Sequence, residues 1–424
     1  MHSKNLSRLS FIGELFTSYR VKNVFLRMFS MGIRLLLVVF LAKLLTPGEL
    51  GSFGIMSAAL AFNILLIGAD YYVYSNREIL SVSSKLERGR VIQGQITAYA
   101  LLYFCVIPIQ ILLFVFFEWK DMGWFLLLLI TEHIGQELVR LLVVFNRQLT
   151  SSIVLFIRSA LWVIIVLPIL YFIQDARDIN TVYAAWAIGG LLAILYGVIE
   201  IKRHIKITRE FRIDSLELKK GLKLGGFFLI ATLSIKAIFY LDKIIIDSNL
   251  GLEELGGYVF YMTIVIGAFS IIDPMIFSFI YPNMTKNYQD GSLIKYRKNF
   301  RDMAWGVIVL ALGVSIVVFY ITPFVVDWID RPTYRVYGEN IKLFILIGVL
   351  IQFGNIYHYG LYAIRADKWN VYSQICALIL FIIMSQLLFQ VGTVKDVLVM
   401  IIASLVLMNI MKIYGYLVTY GRSE

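Results

Sequence analysis

Two arginines, Arg27 and Arg34, stand seven residues apart in one apolar stretch, so on a helix they share a face. A charge at the centre of a bilayer costs at least about 2.5–3.5 kcal/mol on insertion scales, so such a residue faces a partner, a cavity or a ligand. Arg34 falls near mid-depth. Arg27 is close enough to the start of the stretch for its long side chain to reach the interface. A second set is Lys236, Tyr240, Lys243 and Asp247, which follow one another at helical steps and form one stripe, while Asp242 points away from it. Lys236 is near mid-depth with no Asp or Glu within one turn. An unpaired cation at that depth waits for a distant helix or for an anionic ligand. Arginine engages phosphate oxygens bidentately, which suits it to a diphosphate. The chemistry on offer is anion binding, led by Arg34 and Lys236, with Arg27, Tyr240 and Lys243 as supporting candidates. Lys43 points elsewhere and reads as an interface residue.

Carboxylates and amides form other groups. Glu132, His133, Gln136, Glu137 and Arg140 spread over roughly 140° of one helical face. Glu137 and Arg140 either pair structurally at i,i+3 or serve transport. Glu132 lacks a local partner, and Arg158 on the next stretch is a candidate partner for this helix. Glu132, Glu137 and Asp70 are the candidates for coupling an ion. Gln352, Asn355 and Tyr359 lie along one side of a later stretch, and Asn409, Lys412 and Tyr416 along another. Amide, amine and phenol groups suit sugar hydroxyls, so Gln352, Asn355, Tyr359 and Lys412 join the substrate-binding candidates. The competing reading for each is an interhelical hydrogen bond within lipid. Asp273-Pro274 reads as a kink, with the aspartate capping backbone that proline frees. Covalent chemistry has no such footing. The four histidines lack metal-ligand spacing, Cys105 and Cys376 sit in apolar runs without a CxxC motif, and no phosphate-binding P-loop is present. The chain reads as a non-enzyme with no cofactor and no metal.

The elements that must carry these residues follow from composition. Of 424 residues 59% are hydrophobic and 16% charged, against about 45–50% and 25% in a soluble domain. The solvent must be largely lipid. A span needs about 20 mostly apolar residues, and twelve stretches qualify: 24–45, 53–75, 95–117, 123–145, 152–173, 181–201, 224–247, 257–280, 303–326, 339–362, 371–390 and 397–418. The expected fold class is an all-α integral membrane protein with about twelve transmembrane helices. No cleaved signal peptide precedes the first span. Residues 1–201 form an N-terminal six-helix lobe, 202–223 a basic cytoplasmic linker and 224–424 a C-terminal six-helix lobe.

Orientation follows from loop Lys and Arg. Of 39 such residues, 25 fall in segments on the N-terminal side of the membrane and five (Lys120, Arg177, Arg331, Arg335 and Lys395) in the opposite loops. Both termini are therefore expected in the cytoplasm. The net charge of +11 is accounted for by this bias rather than by nucleic acid. The run Lys202-Arg203-His204-Ile205-Lys206 reads as a solvated loop beside anionic headgroups. A repeat supports the two halves. Leu45–Phe53 and Leu250–Tyr258 share Leu, Glu, Leu and Gly at equal spacing, with Phe53 matched by Tyr258 at an offset of 205. Two halves of like topology suit a rocking transporter with a central cavity.

The same segments resemble a known family. Phe40–Gly54 resembles the "AR-L-G-P-E-E-F-G-x-Y/F" signature that opens polysaccharide exporters of the multidrug/oligosaccharidyl-lipid/polysaccharide superfamily. Tyr240–Ile246 followed by Leu255–Tyr258 is similar to that family's "LDR-L-L…GxY" element, and Ile280–Met284 to its "x-F-P-x-L/M" close. Lys43 replaces the usual Arg, and Thr46-Pro47-Gly48 shifts the usual Gly-Pro. These are turn motifs spread over most of the chain and carry no chemistry of their own. The resemblance implies a MATE-like fold and a flippase for an undecaprenyl-diphosphate-linked oligosaccharide, an O-antigen or capsule repeat unit, in the bacterial cytoplasmic (inner) membrane. It implies as partners the polyprenyl-diphosphate-linked oligosaccharide, membrane lipids and the polysaccharide polymerase machinery. Two other functions compete. A cation-coupled drug or metabolite antiporter of the same superfamily would favour carboxylates in the cavity, where this chain offers cations. A sugar polymerase needs a sizeable outer loop, and the longest here is about residues 327–338.

Overall fold

A computed structural model describes residues 19–116, 119–206, 215–387 and 391–421. Lys4 and Arg8 of the basic N-terminal tail lie outside the described residues, as do Arg209 and Arg212 of the linker. Among the described residues the chain is helical throughout, with no strand. In chain order the main helices are α1 (Tyr19–Leu44), α2 (Pro47–Gly68), α3 (Tyr72–Ser81), α4 (Lys85–Phe116), α5 (Met122–Val144), α6 (Gln148–Phe156), α7 (Trp162–Phe172), α8 (Ile179–Lys202) and α9 (Ser215–Leu250). There follow α10 (Leu252–Phe269), α11 (Ser278–Gln289), α12 (Leu293–Ile329), the short α13 (Pro332–Val336), α14 (Ile341–Ala363), α15 (Asp367–Leu387) and α16 (Val394–Gly421). Two π-helical turns, Ile157–Leu161 and Asp273–Phe277, join α6 to α7 and precede α11.

Among the described residues, ten helices are long and apolar enough to cross a membrane, or eleven when the two arms of α9, bent by 51° around residue 227, count as one span. The twelfth expected span, 123–145, is present as the 23-residue α5. It carries three charged residues, Glu132, Glu137 and Arg140. Large apolar side chains point outward along these helices, as with Phe104 at 80% exposure and Phe172 at 79%. In water such surface is an aggregation liability, whereas in lipid it is the expected exterior.

The helix ends follow local chemistry. α2 opens on Thr46-Pro47-Gly48-Glu49: the Thr46 amide and hydroxyl both donate to Glu49 Oε2 at 2.8 Å, and the Glu49 amide donates back to Thr46 Oγ1 at 3.3 Å. This is a capping box with proline at the first helical position, where its missing N–H is no loss. Ser84 with Glu87 caps α4 in the same way, and before α16 the Thr393 amide and hydroxyl both donate to Asp396 Oδ2. The expected span 53–75 is interrupted: Ala69 and Asp70 take φ of 44° and 48°, so α2 stops at Gly68 and a separate helix, α3, begins at Tyr72. Asp70 therefore sits in a left-handed turn, which aspartate tolerates better than most residues. The expected loop 76–94 is itself largely helical.

The helices gather into two compact units. The first comprises the described residues up to Leu37 together with Asn63–Gly226, and the second Val38–Phe62 with Phe227 onward. Grouping by packing thus differs from grouping by chain order: Val38–Phe62 packs with the second unit, and the start of α9 with the first. In the first unit, glycines let α5, α8 and the π turn approach closely. A Cβ at Gly189 would run into the Trp162 ring, one at Gly190 into Thr131, and one at Gly135 into the Arg158 stem. The basic linker start folds onto α4. Lys206 N–H donates to Lys85 O and Lys85 Nζ to Arg203 O, both at 2.9 Å. His204 accepts from Arg147 Nε at 3.3 Å, and burial with the charges of Arg147 and Lys85 keeps its pKa down and the ring neutral.

Candidate functional site

In the first unit the α5 acids are held by fixed partners. Glu132 accepts from Trp186 Nε1 of α8 at 2.8 Å and pairs with Arg158 Nη1 at 3.4 Å, while the same Nη1 donates to the Glu132 carbonyl at 2.9 Å. Arg158 belongs to the π turn, whose extra residue re-aims the side chain towards α5. Glu137 pairs with Arg140 at 2.5 Å and also accepts from Tyr99 at 2.6 Å and Gln95 at 2.9 Å, both on α4. Arg140 covers the Tyr72 ring at 3.7 Å. His133 Nδ1 is 2.9 Å from the Tyr103 hydroxyl. Of the three carboxylates considered for ion coupling, Glu132 and Glu137 are thus neutralised in place. Asp70 is buried, and its carboxylate makes no hydrogen bond or ion pair among the described residues, although Arg140 lies within electrostatic reach.

The two arginines of α1 differ. Arg27 donates to Ser152 Oγ at 3.0 Å, and Ser152 in turn binds Asn23, so this arginine fastens α1 to α6. Arg34, one face-repeat deeper, is exposed and has no hydrogen-bond or ion-pair partner among the described residues. It lies within electrostatic reach of Glu132 and Arg158, which already satisfy each other.

The second unit repeats the contrast on α9. Lys243 donates to Phe239 O at 2.8 Å and pairs with Asp242 at 3.2 Å. Asp242 is fully buried and accepts from the Tyr258 hydroxyl of α10, which makes it a packing acid. Tyr240 stacks on Phe62 at 5.7 Å. Lys236, like Arg34, is exposed and unpartnered among the described residues.

The amide and phenol candidates largely join helices to one another. Gln352 donates to Phe269 O at 3.2 Å, Asn355 donates to Gln352 at 3.4 Å, and Asn409 donates to Leu350 O at 3.0 Å. Tyr359 stacks on Phe277 at 4.6 Å and donates to Asp273 Oδ1 at 2.8 Å. This corrects the expected backbone-capping role of Asp273. The break before α11 is a π turn, and the carboxylate points across to α14 rather than back to its own helix. Lys412 is 2% exposed, within electrostatic reach of the half-buried His358, and its amine has no hydrogen bond among the described residues. Sequence reasoning missed Trp186, Tyr99 and Gln95 as acid partners, and Asp273 as the partner of Tyr359. Each pairs across 38 to 86 residues, a distance at which spacing carries no signal.

Among the described residues the arrangement offers buried ion pairs that fix helices and three span cations without a hydrogen-bond or ion-pair partner: Arg34 in the first unit, and Lys236 and the buried Lys412 in the second. The fold has solved counterparts. Over 93% of this chain and 94% of the other, it is similar to the inward-facing conformation of a multidrug resistance MATE family transporter of the MOP superfamily, with a TM-score of 0.75 and 15% identity. An outward-facing conformation of such a transporter matches with a TM-score of 0.61 and 14% identity over 95% of each chain. A MATE structure in complex with MaD3S matches at 0.63 and 15% over 95% of each. No family model matches the sequence, and no curated protein does. The fold is thus the all-helical, multi-pass MATE fold, shared across a large sequence distance.

Proposed function

We propose that this chain is a transporter that moves an amphiphile with an anionic head across the bacterial cytoplasmic membrane by alternating access, and that the head is the diphosphate of an undecaprenyl-linked oligosaccharide. The observation that carries the reading is the partner status of the span cations. Arg27, Arg140, Arg158 and Lys243 each have an acceptor, whereas Arg34 and Lys236 are exposed without one. A cation left unsatisfied at that depth is costly unless a ligand supplies the counter-charge. A diphosphate supplies it more fully than a neutral sugar. The lipid tail remains in the bilayer while the head crosses, and Asp70, the coupling candidate without a fixed partner, is the group available to bind a driving ion. Both termini face the cytoplasm in this reading, and the polymerase machinery receives the product.

A second reading, a drug or metabolite antiporter, draws support from the multidrug transporters that share the fold and from Asp273, an exposed carboxylate within a span. One experiment separates the two. Arg34→Ala and Lys236→Ala are expected to abolish export of the lipid-linked oligosaccharide at normal protein abundance, measured by its distribution between leaflets, while Arg34→Lys retains part of it. Normal export by both alanine variants, or binding of cationic dyes but not of polyprenyl diphosphate by the reconstituted chain, would sink the anionic-head reading.

A further inference from the structure

The two repeated turns pack against each other in a reciprocal way. A Cβ on Gly51 would strike the Leu252 carbonyl, and a Cβ on Gly256 would strike the Pro47 carbonyl. With the offset of 205, Gly256 is the counterpart of Gly51, and Leu252 the counterpart of Pro47, so the two contacts are the same contact made twice. Gly54 lies against Val259, its own counterpart, whose methyl groups would meet a Cβ there. The seam is therefore locally two-fold, with each half presenting the same bare backbone to the other. Side chains at these positions would hold the two helix starts apart.

A second reciprocal exchange borders the seam. Lys43, in the last turn of α1, donates to Trp328 O at 2.7 Å and sits 3.7 Å over the Trp328 ring. Arg331, just beyond α12, donates to Lys43 O at 3.1 Å. Each cation caps the carbonyl end of the other's helix, where the dipole favours positive charge. Phe40 meets Trp328 edge-on at 5.4 Å. The segment that makes all these contacts, Val38–Phe62, is bounded on both sides by chain that packs in the other unit. It is joined to α10 and α12 by backbone-close glycines and by bonds at the rim, which water can replace.

We propose that the docking of Val38–Phe62 against Leu252–Val259 and Trp328–Arg331 is a latch that opens and closes in each transport cycle, with Gly51 and Gly256 as its closing faces and Lys43 and Arg331 as its clasp. The latch rests on the transport reading but not on the substrate. The test uses the full chain in nanodiscs, open to reagents on both faces, with Cys105 and Cys376 replaced by serine. A Cβ at Gly48 would lie 3.8 Å from that of Leu252, at the mean for a disulfide, about 3.8 Å. Gly48→Cys with Leu252→Cys should therefore oxidise rapidly. Lys43→Ala or Arg331→Ala should slow closure about tenfold, the effect of losing a hydrogen bond or two, while Arg331→Lys restores it. Gly51→Ala and Gly256→Ala should slow it equally, whereas Gly313→Ala, with open space around its Cβ position, should not. In proteoliposomes the oxidised protein should stop transporting and reductant should restart it.

Failure of the pair to oxidise, indifference to the clasp variants, or full transport while cross-linked would each overturn the latch. Oxidation needs no substrate. If the latch results hold while polyprenyl diphosphate does not bind, the substrate reading alone falls.

Discussion

At the scale of single residues, the span charges divide by what each touches, and that division separates stability from transport. Arg158 is buried and satisfies both the carboxylate and the carbonyl of Glu132. Removing it leaves a buried carboxylate with only the Trp186 donor. Loss of one member of a buried pair costs about 3–5 kcal/mol. Arg158→Ala is therefore expected to lower the thermal midpoint of the purified protein sharply and to reduce its abundance. Arg34→Ala should leave both unchanged, because nothing described depends on Arg34. Equal thermal midpoints for the two variants would show the distinction to be wrong. The Glu137–Arg140 pair was visible at i,i+3 spacing, and Asp242 was visible as a residue off the Lys236 stripe. The donors from Tyr99, Gln95 and Trp186 were not visible, because a residue's partners across helices depend on crossing geometry that no single helix encodes.

At the scale of elements, helix existence was legible because lipid demands long apolar runs with internally satisfied backbone. Helix ends and breaks were harder to read. The stop at Gly68 depends on two consecutive left-handed residues, Ala69 and Asp70, and alanine gives no warning of such a conformation. The two π turns likewise carry no composition of their own: one holds a proline and the other does not. Glycine proved the better guide to packing. Gly189 faces the Trp162 ring, whereas Gly123 has open space around its Cβ position. Gly189→Val should therefore separate α8 from α7 and lower the thermal midpoint in nanodiscs, and Gly123→Val should leave it nearly unchanged. Equal effects at the two sites would mean that helix propensity rather than packing decides.

For the whole molecule, the count of spans and the charge bias of the loops make one joint statement about orientation. Reporter fusions after residues 121, 178 and 332 are expected to read outside, and fusions after residues 210 and 290 inside. One clear inversion would undo the topology and the depths assigned to Arg34 and Lys236. The repeat of Leu45–Phe53 in Leu250–Tyr258 was legible as a similarity. That the two copies meet each other across a two-fold seam was not, since identity of sequence says nothing of adjacency.

The three charges of α5 bear on how the chain is made. A segment carrying Glu132, Glu137 and Arg140 is a poor candidate for release into lipid on its own, because each charge near the centre opposes insertion by about 2.5–3.5 kcal/mol. Its helpers arrive at different times. Gln95 and Tyr99, which hold Glu137, precede α5 on the ribosome, whereas Arg158 and Trp186, which hold Glu132, follow it. Nascent α5 should therefore leave the translocon together with α4 and become fully settled only after α8 has emerged. Glycosylation mapping of chains truncated at successive lengths reads this directly: replacing Gln95 and Tyr99 with leucine and phenylalanine should leave α5 outside the bilayer in short chains. If α5 inserts equally well without them, the order of synthesis does not matter to it.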